Sequence, residues 1–162
     1  DLALLTPSQV ANPENYLFSH SIFGCVELHA FWIPENTPPI ETLNDLNFQR
    51  LIFINGFRYP GLREKIEPKG IVGVEGHDRA LQALKLKRGD YLLGFERAIN
   101  TLLSRQGEPD LARLKIMQFP IFVVLNREYH EAPTLLEQID AAHHQLYPEH
   151  FRHYQTCGKR QL

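Results

Sequence analysis

Residues 71–95, IVGVEGHDRALQALKLKRGDYLLGF, decide the fold class. Ile71 to Val74 and Tyr91 to Phe95 are apolar runs of strand length. Between them Ala80, Leu81, Leu84 and Leu86 recur at helical spacing, and Asp78 can cap the helix they form. Lys85, Lys87 and Arg88 fall near the negative end of that helix, and Gly89 is placed to close it. A strand, a helix and a second strand build a parallel sheet, because the crossover helix carries the chain back to start the next strand in the same direction.

The same alternation extends outward. Upstream, Leu51 to Ile54 reads as a strand and Pro60 to Ile66 as a helix-length stretch stopped by Pro68 and Gly70. Further upstream, Ile22 to Ile33 reads as a long extended segment, with Phe23, Cys25, Phe31 and Trp32 suited to a pleated surface, and the turn from Pro34 to Pro39 ends it. Downstream, Arg97 to Leu103 reads as helix and Ile116 to Leu125 as a final extended segment broken at Pro120. After Asn126, Pro133 stands near a helix start, and Leu135, Leu136, Ile139, Ala142 and Leu146 keep helical spacing as far as Pro148. The expected fold is α/β with a largely parallel sheet.

Composition narrows the partners. The 162 residues are 43% hydrophobic and 22% charged, which excludes a disordered chain. Seventeen Lys and Arg against 19 Asp and Glu leave a formal charge of −2, so no basic surface favours nucleic acid or an anionic bilayer. The longest apolar run, Ile121 to Leu125, falls far short of the roughly 18 residues of a membrane span.

Searches for chemistry-bearing motifs find no GxGxxG, GxxxxGK[ST], HExxH, CxxC or GxSxG, so no cofactor is assigned. His143, His144, His150, His153 and Cys157 cluster late in the chain and carry zinc-ligand chemistry. They read as a helix border and a surface segment, and no metal is assigned. Cys25 has three readings: a buried thiol, a nucleophile with His20 or His29 as its base, or half of a bridge to Cys157 in an oxidising compartment. The loop Asn55-Gly56-Phe57-Arg58-Tyr59-Pro60-Gly61 follows a strand and leads into a predicted helix, the position where open α/β sheets bind ligands. Gly94-Phe95-Glu96-Arg97 ends the third strand equivalently, so a parallel sheet brings both loops to one edge.

Several segments, taken in order, resemble the bacterial extracellular solute-binding proteins of family 3, the receptors of amino-acid-type ABC importers. Asp1 to Thr6 followed by Phe18-Ser19 is similar to the family's approach to its first crossing strand. Pro39-Ile40-Glu41-Thr42-Leu43-Asn44-Asp45-Leu46, then Leu51 to Gly56, resembles the passage into the second lobe and its opening strand and glycine. Ala80-Leu81-Gln82-Ala83-Leu84 with Arg88-Gly89-Asp90-Tyr91-Leu92-Leu93-Gly94 is similar to the family's Leu-rich helix and following strand, and Pro120 to Asn126 to its second crossing strand.

The resemblance implies a two-lobed type 2 periplasmic-binding fold with one lobe complete and the other partial. Residues 1–40 would form part of lobe one and the first crossing strand, 41–119 lobe two, and 120–162 the second crossing strand and a helix returning to lobe one. On this reading, first-lobe residues preceding Asp1 are expected. The implied function is capture of a small polar or amino-acid-like solute outside the cytoplasm, without catalysis, for an ABC importer. Phe18, Ser19 and His20 from lobe one, and Phe57, Arg58, Tyr59, Phe95 and Glu96 from lobe two, are the implied ligand contacts. Gln9 stands where the amino-acid binders carry an Arg, so their carboxylate clamp does not transfer. Alternatives on the same fold are an enzyme using Cys25 or Glu96 and the sensing domain of a regulator or receptor.

Overall fold

The computed structural model describes residues 2–7, 10, 12–59, 61–149 and 157. The chain divides into two units, one of residues 1–26 with 118–162, the other of residues 27–117. The first boundary lies inside the long extended segment, upstream of the Pro34 to Ile40 turn. The cause is pairing, since residues 28–31 of that segment hydrogen-bond to a strand of unit 2.

In unit 1, β1 (Leu2–Leu5) and β2 (Tyr16–Phe18) both run antiparallel to the second half of β7 (Ala112–Asn126). Helix α3 (Ala132–Leu146) begins with Pro133 in its first turn, as expected, and lays Ala132 and Leu136 on Val123 and Leu125. Leu17, Phe23, Leu135 and Ile139 complete that cluster. Strand β7 runs through Pro120 without a break, because a proline lacks only the N–H and keeps an extended φ.

Unit 2 is a sheet ordered β3 (Gly24–Trp32), β6 (Tyr91–Phe95), β4 (Arg50–Ile54), β5 (Gly70–Val74), with β7 beside β3. Strands β4, β5 and β6 are parallel, as their crossovers require. Strand β3 is antiparallel to β6, which corrects the expectation of a largely parallel sheet. A segment entering from elsewhere needs no crossover helix, so nothing in its apolar pattern encodes its direction.

Helices α1 (Gly76–Lys85) and α2 (Glu96–Gln106) cover one face of this sheet. Ala80, Leu81, Ala83 and Leu84 of α1 and Ile99 and Leu103 of α2 pack on Phe31, Ile52, Ile54 and Leu92. Three local expectations change. Asp78 lies within the first turn of α1 instead of capping it. Lys87, at φ 55°, makes the left-handed turn that ends α1, and the Arg88 N–H donates to the Ala83 carbonyl at 3.0 Å. Gly89 serves packing, since a Cβ there would lie 2.5 Å from Ile52 Cγ1 and 3.2 Å from the Arg50 carbonyl. Residues 61–65 form turns instead of the expected helix.

Asp90 locks the start of β6 to the start of β4. Its carboxylate takes Arg50 Nη2 at 2.6 Å and Nε at 3.1 Å and also accepts the Arg50 backbone N–H at 2.9 Å. The Arg50 hydrogen bonds outweigh partial burial and hold the Asp90 carboxyl below its ordinary value.

Candidate functional site

In unit 2, parallel β4, β5 and β6 end together, and their carboxyl edge is where an open α/β sheet presents loops to a ligand. Asn55 ties the ends of β4 and β5: its N–H donates to the Val74 carbonyl at 2.8 Å and its Nδ2 to Glu75 Oε1 at 2.9 Å. Gly56 follows at φ 81°, a left-handed turn that turns the chain away from the sheet. The next residues divide by role. The Phe57 ring lies 5.4 Å from Phe95 and 5.5 Å from His77, making an aromatic patch over the strand ends. The Arg58 side chain is exposed.

Tyr59 turns inward. Its hydroxyl accepts the Ile54 N–H at 3.1 Å and donates to the Leu93 carbonyl at 3.3 Å, and its ring meets Phe53 edge to face at 4.8 Å. Burial raises its pKa against the opposing Ile54 hydrogen bond. Its polar atom is therefore used inside the protein. Pro60 of the same loop lies outside the described residues. Since residues 61–65 are turns, the run of free N–H groups expected at a helix start is not formed there.

At the other end of the edge, Glu96 opens α2, where the helix dipole favours its carboxylate. Strand register brings partners to it. Phe95 pairs with Leu28 and Gly94 with His29, so Glu27 and His29, two apart on β3, share the face toward α2. His29 Nε2 lies 3.1 Å from Glu27 Oε2 and 3.7 Å from Glu96 Oε2. From β7, Arg113 Nε lies 3.1 Å from Glu96 Oε1, and Lys115 Nζ 3.2 Å from Glu27 Oε1. Burial pushes the Glu27 carboxyl up, but the His29 and Lys115 hydrogen bonds together outweigh it and leave the group below its ordinary value. The edge thus offers two partly exposed carboxylates, two cationic side chains and an aromatic patch, which suit a small polar solute.

Of the residues expected at the site, Phe57, Phe95 and Glu96 meet on this edge; Glu27, His29, Arg113, Lys115 and His77 join them. Sequence reasoning treated His29 only as a base for Cys25 and passed over the other four. The available signal was two alternating polar pairs, Glu27 with His29 and Arg113 with Lys115, on otherwise apolar strands.

Unit 1 holds Phe18, Ser19 and His20. Phe18 packs edge to face on Phe122 at 6.3 Å. The buried Ser19 hydroxyl donates to the Ser21 carbonyl at 2.9 Å and accepts the Val123 N–H at 3.0 Å, so it braces the loop. The His20 side chain is 91% exposed, and its backbone is clamped from α3: Asp140 accepts the N–H of His20 at 2.8 Å and of Ser21 at 2.9 Å. Burial raises the Asp140 pKa, but these bonds outweigh it and the net value lies below the ordinary one. Asp140→Ala is expected to cost about 2 kcal/mol, since two backbone donors lose a charged acceptor. With the folded pKa below the unfolded one, the contribution is full at neutral pH and is lost as pH falls through the folded pKa. Urea midpoints of Asp140→Ala and wild type should therefore converge in acid; a gap independent of pH would contradict this origin.

Cys25 forms a disulfide with Cys157, with the Cα atoms 6.2 Å apart. This removes Cys25 as the nucleophile of the enzyme alternative, because no thiol is present. It also takes Cys157 out of the late histidine cluster, in which His143 stacks on Phe23 at 4.1 Å. His150, His153 and Gln9 lie outside the described residues. No helix among the described residues is long and apolar enough to cross a membrane.

No protein-family profile and no curated protein sequence matches the chain. Solved structures do. The GluR0 ligand-binding core in complex with L-glutamate aligns with a TM-score of 0.69 at 12% identity over 94% of this chain and 71% of its own. A substrate-binding protein of an ABC uptake transporter from Streptococcus pneumoniae, with bound histidine, gives 0.64 at 21% identity, covering 92% and 63%. Holo ArgBP from T. maritima gives 0.63 at 15%, covering 90% and 63%. The class is therefore a type 2 periplasmic-binding fold, represented in part, since the chain spans 63–71% of these three. All three are binding proteins by description.

Proposed function

We propose that this chain is the ligand-binding part of an extracytoplasmic solute-binding protein that captures a small polar or amino-acid-like solute for an ABC importer. The observation that carries the reading is the carboxyl edge of β4 and β6, where Phe57 and Phe95 adjoin Glu96 and Glu27, with Arg113 against Glu96. A solute ammonium group is met by the carboxylates and a solute carboxylate by Arg113 or Arg58, with the aromatic rings flanking its carbon skeleton. Structures of the same fold hold glutamate, histidine and arginine, which supports this ligand class. The Cys25–Cys157 bridge suits an oxidising compartment outside the cytoplasm.

A thermal-shift screen with amino acids and small carboxylates tests the reading, because a bound ligand raises the melting temperature by mass action. Calorimetry on the best ligand should then show Glu96→Gln weakening affinity about 10- to 100-fold, the scale of a charged hydrogen bond. Arg58→Ala should weaken it as well if this side chain meets the solute's anionic end. Unchanged affinity in both variants would refute the site, and a screen without any shift would refute the function.

A further inference from the structure

We propose that Glu27, His29 and Glu96 form a binding site for a divalent transition-metal ion of the zinc type, with a fourth position left open. The three ligand atoms, His29 Nε2 and one carboxylate oxygen from each glutamate, lie within 4.8 Å of one another. Zinc bonds of about 2.1 Å in tetrahedral geometry place neighbouring ligand atoms about 3.4 Å apart. The distances from His29 Nε2, 3.1 Å to Glu27 and 3.7 Å to Glu96, bracket that value.

The two carboxylates are already oriented for the task. Lys115 engages Oε1 of Glu27 and Arg113 engages Oε1 of Glu96, while the Oε2 atom of each faces His29. Binding through the Oε2 atoms leaves both cationic contacts in place, where they act as outer partners that fix ligand orientation.

The independent observation is His29 itself. Its side chain is 7% exposed and its Nε2 points between the two carboxylates, while among the described residues its buried Nδ1 finds no hydrogen-bond partner. Nε2 binds an ion through its lone pair, which places the ring proton on Nδ1. The rigidity comes from the sheet: Glu27 and His29 are fixed by β3 register against β6, and Glu96 by the start of α2. Three protein ligands with an open position is the arrangement of zinc sites that accept a further donor, such as a solute carboxylate or amine.

The test is calorimetric titration of the full chain with Zn2+ alone, no solute present, with Co2+ absorption reporting coordination geometry. One site per chain with a tetrahedral Co2+ spectrum is expected. Outer partners of metal ligands account for about 10- to 100-fold in affinity, so loss of a ligand in Glu27→Gln, Glu96→Gln or His29→Ala should weaken the site at least as much. His130→Ala, whose side chain is 86% exposed, should leave it unchanged. The two glutamine variants keep the shape of partly exposed side chains, and near-UV circular dichroism verifies their folding where His29→Ala fails to fold. Absence of stoichiometric binding, or a site of unchanged affinity in both glutamine variants, overturns the proposal. The solute screen is read separately, so either result stands without the other.

Discussion

Reducing the Cys25–Cys157 disulfide is expected to destabilise unit 1 by about 4 kcal/mol. The two cysteines are 132 residues apart in sequence, and each belongs to unit 1. Closing so long a loop removes a large share of the unfolded chain's conformational freedom; a loop of about 100 residues corresponds to roughly 4.7 kcal/mol on the chain-entropy account, and measured values cluster at about 2–4. The cross-link holds β3, just before the chain passes into unit 2, to a position beyond α3. Urea unfolding followed by far-ultraviolet circular dichroism, with and without reductant, should shift to a lower midpoint on reduction. The double variant Cys25→Ala/Cys157→Ala should reproduce the reduced curve. Superimposable curves would show that the bridge adds nothing. Thiol titration should detect no free sulfhydryl in the unfolded, unreduced chain.

Phe31→Ala is expected to cost unit 2 about 3–5 kcal/mol, the range for truncating a fully buried phenylalanine. Phe31 is 0% exposed and lies under both helices, in one cluster with Ile52, Leu92 and Ile99. Its loss should reach the site as well, because its ring stacks against His29 at 5.8 Å. Trp32 is the chain's single tryptophan, and its ring meets Tyr91 at 6.0 Å, so its fluorescence reports this unit. A lower denaturation midpoint in Phe31→Ala, with a smaller shift in Phe31→Leu, is the expected series. Equal midpoints for all three proteins would mean that the core does not depend on this ring.

Much of unit 2 is legible in the sequence. The spacing of Ala80, Leu81 and Leu84 marked α1, and the runs at Leu51, Ile71 and Tyr91 marked three strands, because burial on one face leaves a periodic record in the chain. Asn55 to Gly61 and Gly94 to Arg97 read as edge loops from the same alternation, since the ends of parallel strands coincide by construction. The stretch Pro60 to Ile66 misled, because its start resembles a helix beginning while residues 61–65 form turns instead, with Leu62 and Ile66 buried.

Within the candidate site, Glu96, Phe57 and Phe95 were visible as loop residues. Tyr59 and Ser19 looked equally suited to a ligand, yet both hydroxyls are spent on backbone groups. A hydroxyl beside a loop reads the same in sequence whether it faces solvent or backbone.

What the sequence alone determined is the α/β class, the order of its elements and the loops at the sheet's edge, because periodicity and turn chemistry are local properties. The tertiary structure decided the direction of β3, the pairing of Cys25 with Cys157, and the meeting of Glu27 with Lys115 across 88 residues and with His29 and Glu96 around one point. Those depend on strand register, and a shift of one residue would turn Glu27 and His29 to the opposite face, so a site of this kind exists only once the sheet is paired.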